Sequence, residues 1–273
     1  MGKHHHHHGH DHDHHDHHDH DHDHDHDHHH HDHGHHQHGH DVVIQAPDTA
    51  LAEKHRSALE RGAGRNKVLF FDMESGIAGD MTIAALVDLG VPFSIVEEAV
   101  RALGLSGYAL ELARASAGAI GASHFDVKVQ ADQPHRHYRD IDAMIARAPL
   151  DPPTKALAQK IFLKLAEAEA EVHRTSLAEV AFHEVGAVDS IVDVVGAAAC
   201  LSFLEARVIA TPAPLGRGHV HCAHGTLPLP APAALLCLRG VPTVDSGLDV
   251  ELVTPTGAAI VATVAESFTA RWP

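Results

Sequence analysis

Five short blocks of this sequence gather residue types that bind metals, hold phosphates or move protons. The first is FDMESGIAGDM (71–81), in which a carboxylate ends an apolar run and glycines follow at 76 and 79 before a helical pattern. Such a junction can hold a metal through its carboxylates. It can also hold an anion through backbone N–H groups at the helix start, where the partial charge is favourable. Asp72 and Asp80 are the metal candidates here, and Ser75, Gly76 and Gly79 the anion candidates. The plainer reading is a tight strand–helix turn with Asp80 or Ser75 as its cap.

The second block is HRHYRD (135–140), where His135 and His137 share a face if extended and Arg136 and Arg139 suit a phosphate or carboxylate. A solvated loop entering a helix capped by Asp140 is the alternative. The third is FHEVGAVDSIVD (182–193). Asp189 and Asp193 stand four apart and so share one face of a helix. Asp193 lies inside the apolar run IVDVVGAAAC, where a buried carboxylate must be paired, metal-bound or protonated. With His183 and Glu184 just upstream, this block suits an N/O metal site or a proton-accepting pair; capping by Asp189 and a hydrogen-bonded core Asp193 compete with that. The fourth, PLGRGHVHCAHG (214–225), could turn His219 and His221 to one side of a strand with His224 beyond, or hold ordinary loop histidines. The fifth, TPTGAA (254–259), offers Thr254, Thr256 and Gly257 as a phosphate cradle or a plain N-cap.

Residues 1–41 are a different material. They hold 24 of the 33 histidines and ten aspartates, with Met1 the only large apolar side chain. Such a segment buries too little apolar surface to offset its ordering entropy, and disorder is expected without metal. Dense imidazole interleaved with carboxylate suits Ni, Zn, Cu and Co, without choosing among them. A purification tag is normally an uninterrupted histidine run, whereas Asp alternates with His here from Asp11 to Asp27.

The remaining sequence must position the five blocks. Residues 42–65 read as a linker with a short helix near 49–61, and residues 66–273 as one globular domain of ordinary size. KVLFFD (67–72) reads as a buried strand, and helices are expected over about 81–90, 94–103, 139–147, 154–173 and 188–205. YALELARA and SHFDVKVQ alternate around Gly118 and Gly121 as a hairpin, and RVIATP is a short strand. Gly- and Pro-rich loops are expected over 211–232, then a short helix near 231–238 and a last helix after Thr256-Gly257. The fold class is α/β, with a mixed α+β arrangement as its variant.

The net charge of −17, of which the first 41 residues carry about half, argues against nucleic acid and membrane surfaces and for cations. Cys200, Cys222 and Cys237 lack CxxC spacing, no run is long and apolar enough to span a bilayer, and no secretory h-region is present, so a cytoplasmic location is expected. Walker A, HExxH and nucleophile-elbow motifs are missing, which removes support for the familiar hydrolases.

Taken in order, FDMESGIAGDM, HRHYRDI, FHEVGAVDSIVDVVGAA, TPAPLGRG with AHGTLPLPAPA, and ELVTPTGAA resemble the LarC family of nickel-insertion proteins, over about residues 67–268. The resemblance implies insertion of nickel into pyridinium-3,5-bisthiocarboxylic acid mononucleotide, a lyase-class metallation that yields the nickel-pincer nucleotide of lactate racemase maturation. It implies CTP with Mn²⁺ or Mg²⁺, a homo-oligomer, a nickel-dependent racemase as downstream recipient, and a further C-terminal domain, which is either a separate polypeptide or missing from a truncated product. By that resemblance Thr254, Thr256 and Gly257, with Arg139, would hold phosphate. His183, Glu184, Asp189, Asp193, Asp72 and Asp80 would handle metal and proton, with His137 and His224 as further metal ligands. Ala181 and Arg174 depart from the family, which usually has His and Gly there. The rival reading is a nickel storage protein or metallochaperone in which the tail is the function.

Overall fold

The computed structural model describes residues 42–44, 58–117, 119–131, 136–182, 188–222 and 225–271. His183, Glu184, His224, the His/Asp-rich segment and most of the expected linker helix therefore lie outside the described residues. The chain is a mixed α/β protein. Strand β1 (Val42–Ile44) is followed by β2 (Val68–Phe71), helix α1 (Gly79–Leu89) and helix α2 (Phe93–Arg101). The long hairpin β3 (Tyr108–Ala117) and β4 (Ile120–Val129) comes next, with β1 antiparallel to β3. Then come β5 (Arg136–His137), α3 (Tyr138–Arg147) and α4 (Pro152–His173). A 3-10 turn (Leu177–Glu179) leads to β6 (Ala181–Phe182) and α5 (Val188–Leu204).

Beyond α5 lie β7 (Arg207–Ala210), β8 (Ala213–Leu215), β9 (His219–Cys222) and β10 (Gly225–Pro228). The chain then forms α6 (Pro232–Cys237), β11 (Thr243–Asp245), α7 (Pro255–Val264) and β12 (Ala265–Phe268). β2, β7 and β12 make a parallel sheet in the order β12-β7-β2. The other ladders are small: β8 with β11, β9 with β10, and β5 with β6.

Helix α5 is apolar on nearly all sides, which places it at the centre rather than on a surface. It packs against α1, α2, α4, α7 and the hairpin strand β4. Ile191, Val192, Val195 and Cys200 are fully buried there, with Ile83 of α1, Val96 of α2 and Phe162 of α4 also buried in the same core. Helix α4 starts where Asp151 accepts the Thr154 hydroxyl at 2.8 Å and two prolines occupy the first turn, where their missing N–H groups cost nothing. It stops at Arg174, in the left-handed region at φ 52°.

Three expectations need correction. KVLFFD is an edge strand, half-buried and with Val68 exposed, rather than a fully buried one. Residues 58–61, the described end of the expected linker helix, are irregular and enter a turn. The segment 211–232 is not all loop: it carries β8 and the β9–β10 hairpin.

Candidate functional site: carboxylates around the turn after β2

Parallel sheets bind ligands beyond the carboxyl ends of their strands. β2 leads into Asp72 and β7 into Thr211, so two of the quoted blocks meet at that end of the sheet. Thr211 clamps the turn. Its N–H donates to Phe71 O at 2.9 Å, and its hydroxyl accepts from the Met73 N–H at 2.9 Å. The fifth block closes the other side: Ile77 N–H donates to Leu252 O at 2.8 Å, and Thr254 N–H returns to Ile77 O at 3.2 Å. Neither Thr211 nor Leu252 was recognisable as a site residue, because each acts through a contact distant in sequence. Thr211→Val keeps the shape but orphans the buried Met73 N–H. It is expected to cost about 1–2 kcal/mol in equilibrium unfolding, with Thr211→Ser restoring most of it; an unchanged midpoint would contradict the clamp.

Asp72 is exposed and accepts the Glu74 N–H at 3.4 Å. It lines a cleft of about 340 Å³ between β2 and α1, otherwise walled by Leu69, Phe71, Met81 and Leu86. Ser75 is exposed in the same turn, and Gly76 lines the cleft. Neither Ser75 nor Asp80 caps α1: the capping position is Ala78, with no side-chain hydrogen bond.

The second group of acids faces α5. Asp80, in the first turn of α1, accepts the Met81 N–H at 2.8 Å, and Asp189, in the first turn of α5, accepts the Ser190 N–H at 2.8 Å. Asp193, one turn on, receives a hydrogen bond from the Asp80 backbone N–H. Protein surrounds Asp193 closely, and the residue keeps a small exposed surface. Burial, and then the Asp80 and Asp189 charges, push its carboxyl well above the usual carboxylate range, against the lowering effect of that hydrogen bond. Gly79 makes the approach possible: a Cβ there would stand 2.6 Å from Asp193 Oδ2. Asp193 is thus a partnered acid set among other acids, in a position to exchange protons. None of these three carboxylates lines the Asp72 cleft.

The fifth block is a self-contained cap. Thr254 Oγ1 accepts the Gly257 N–H at 3.2 Å and lies 2.9 Å from Thr256 Oγ1, and Thr256 is buried. Gly257 is required by packing, since a Cβ would meet Ile77 O at 2.2 Å. The second block joins the third through strand pairing, with Arg136 opposite Phe182 and His137 opposite Ala181. His137 donates its N–H to Asp140 at 3.3 Å and forms with it the capping box that starts α3. Arg139 is exposed and 3.7 Å from Asp140, on a helix whose main packing partners are α4 and the 3-10 turn. It is not gathered with Thr254.

Among the described residues no group of three or more His, Cys, Asp or Glu side chains is arranged to hold a metal ion. Cys200 and Cys237 are buried thiols, both pushed up to about 12 by burial, and so supply no thiolate. No helix among the described residues is long and apolar enough to cross a membrane.

The sequence matches the nickel insertion protein family over residues 69–273. The chain belongs to that family. It is 54% identical over 205 residues to a Geobacter metallireducens protein named for nickel insertion, covering 74% of this chain and 53% of that one. A Geobacter sulfurreducens protein is similar at the same identity and coverage, and one from Syntrophobacter fumaroxidans is 47% identical over 203 residues, 74% of this chain and 52% of its own. This nickel insertion family chain spans about half the length of the curated relatives it matches. No solved structure matches it. The family match takes in both acid groups, Thr211 and the 252–257 segment.

Proposed function

We propose that this chain inserts nickel into pyridinium-3,5-bisthiocarboxylic acid mononucleotide, a lyase-class cyclometallation, with nickel as a substrate collected by residues 1–41. The observation that carries the reading is the trio Asp80, Asp189 and Asp193 around the start of α5, with the Asp193 carboxyl raised. Forming a metal–carbon bond on an aromatic ring releases a ring proton, and a carboxylate with a raised pKa is a better acceptor for it. Asp80 and Asp189 supply the negative charge that draws a dication, and His183 and Glu184, five or six residues before Asp189, would complete an N/O ligand set. The cleft beside Asp72, apolar-walled and of ligand size, is lined by none of these three carboxylates and would hold a part of the substrate away from the reacting carbon. Ser75 and the Thr254–Thr256 hydroxyl pair are neutral donors on the two segments that meet there.

CTP with Mn²⁺ or Mg²⁺ does not fit the described residues, whose acids around the turn would repel a triphosphate and which offer no three-ligand metal set. We assign that requirement to the half of the full-length relatives that this chain does not span. Transfer of the product to a nickel-dependent racemase, a homo-oligomeric cytoplasmic assembly and a reservoir role for the tail belong to the same proposal. The test is incubation of the chain with the bisthiocarboxylate mononucleotide, Ni²⁺ and CTP, with and without that second half, followed by mass spectrometry. A nickelated product supports the reading; unreacted nucleotide with both halves present overturns it.

The density of histidine in residues 1–41 favours a second reading, nickel storage or delivery without chemistry. Removing residues 1–41 separates the two. Insertion that survives in excess nickel but fails when nickel is scarce identifies a reservoir serving an insertion domain, whereas loss of every nickel-dependent property identifies a storage protein.

A further inference from the structure

Strands β9 and β10 form an antiparallel hairpin in which His221 faces Thr226 and His219 faces Pro228. Side chains two apart on a strand project from the same side, so His219 and His221 stand together on one face, and both are exposed. Their Cα atoms are about 6.5 Å apart by strand geometry, a spacing from which two imidazoles can lean onto one ion at ordinary metal–nitrogen distances. His221 is also oriented from behind. Its Nδ1 lies 2.8 Å from Thr226 Oγ1, and when that nitrogen carries the proton, Nε2 presents its lone pair outward. A ligating histidine usually needs such a second contact to fix its tautomer and ring plane. Arg217, the cation just before the hairpin, is ion-paired with Asp245, so its charge is offset where an incoming cation would arrive.

We propose that His219 and His221 form an exchangeable two-histidine site for a borderline divalent cation such as Ni²⁺ or Zn²⁺, separate from the carboxylates around Asp193. Two protein ligands leave several coordination positions to water, which suits an ion that has to be passed on rather than kept. The binding claim stands without the insertion reading. A role as the post that receives nickel from the histidine-rich segment rests on it.

The experiment uses the full chain and histidine carbethoxylation read peptide by peptide, so that labelling of the hairpin is separated from labelling of residues 1–41. With Ni²⁺ in excess over the capacity of that segment, His219 and His221 are expected to lose reactivity severalfold, while the half-buried His124 on β4 keeps its own. Mg²⁺, which prefers oxygen ligands, should protect neither. His221→Ala should then expose His219 to labelling at the same nickel concentration, because the chelate is gone, and Thr226→Val should weaken protection of both. Equal labelling with and without Ni²⁺ overturns the site. Persistent protection of His219 in His221→Ala also overturns it, since that outcome means covering by another segment. Loss of protection in these variants with nickel insertion unchanged would refute the receiving role and leave both the site and the insertion reading standing.

Discussion

Gly76→Ala is expected to destabilise the protein by about 3–5 kcal/mol, enough to remove much of the stability of an ordinary domain. Two penalties fall on one residue. Its φ of 99° lies in the region that L side chains avoid, and an added Cβ would stand 2.2 Å from Leu252 O. That carbonyl cannot yield easily, because it accepts the Ile77 N–H at 2.8 Å and belongs to the segment that runs into the Thr254 cap. Gly104→Ala supplies the control: its φ is 68°, yet no atom lies within 4 Å of the added carbon. It should cost only the backbone penalty, about 1–2 kcal/mol. Equilibrium urea unfolding of the two variants beside the wild type measures the difference, and equal losses would mean that the 76–252 contact does not hold the turn.

That contact illustrates what the sequence discloses and what it withholds. Helix α5 was legible because IVDVVGAAAC is too long for a strand and, Asp193 apart, apolar on every side, and α4 because its Asp151-Pro-Pro start and Ala/Glu-rich body are helical by themselves. The β3–β4 hairpin was legible from two alternating runs around glycines. β10 was not, and β9 only as one alternative for His219 and His221, since four-residue strands among glycines and prolines give too few alternations to stand out. KVLFFD was legible as a strand but not as an edge, because an apolar run does not say whether a neighbour pairs on one side or both.

The candidate site divides in the same way. Asp189 and Asp193 were paired by helical spacing alone, and Asp193 was marked by its apolar surroundings. Nothing local shows that Gly79 is the residue that lets α1 approach Asp193, or that the Asp80 N–H is its donor. Thr254, Thr256 and Gly257 were read as a cradle or a cap, and their mutual hydrogen bonds favour the cap. Each of these distinctions depends on a contact between distant segments, which spacing along one chain does not encode.

Asp193→Asn carries the largest expected effect on activity and separates function from stability. Asparagine keeps the volume and can still accept the Asp80 N–H through its carbonyl oxygen, but it cannot take a proton. If Asp193 is the acceptor for the ring proton, nickel insertion should fall by about 10²–10⁴-fold, with substrate binding much less changed. Stability should move the other way at neutral pH. The native environment disfavours the ionised carboxyl, so the folded pKa lies above the unfolded one, which is about 3.9. The contribution of this group is therefore fully present below the unfolded value and is lost as pH rises through the folded value. Wild-type protein should gain stability on mild acidification from pH 7, relative to Asp193→Asn, which has no proton to take up at this position. The difference between the two unfolding midpoints, followed against pH, isolates Asp193, because the substitution leaves every other titratable side chain in place. A pH-independent difference would mean that Asp193 titrates normally. Full activity in the variant would move the proton acceptor elsewhere, with Glu184 as the next residue to substitute.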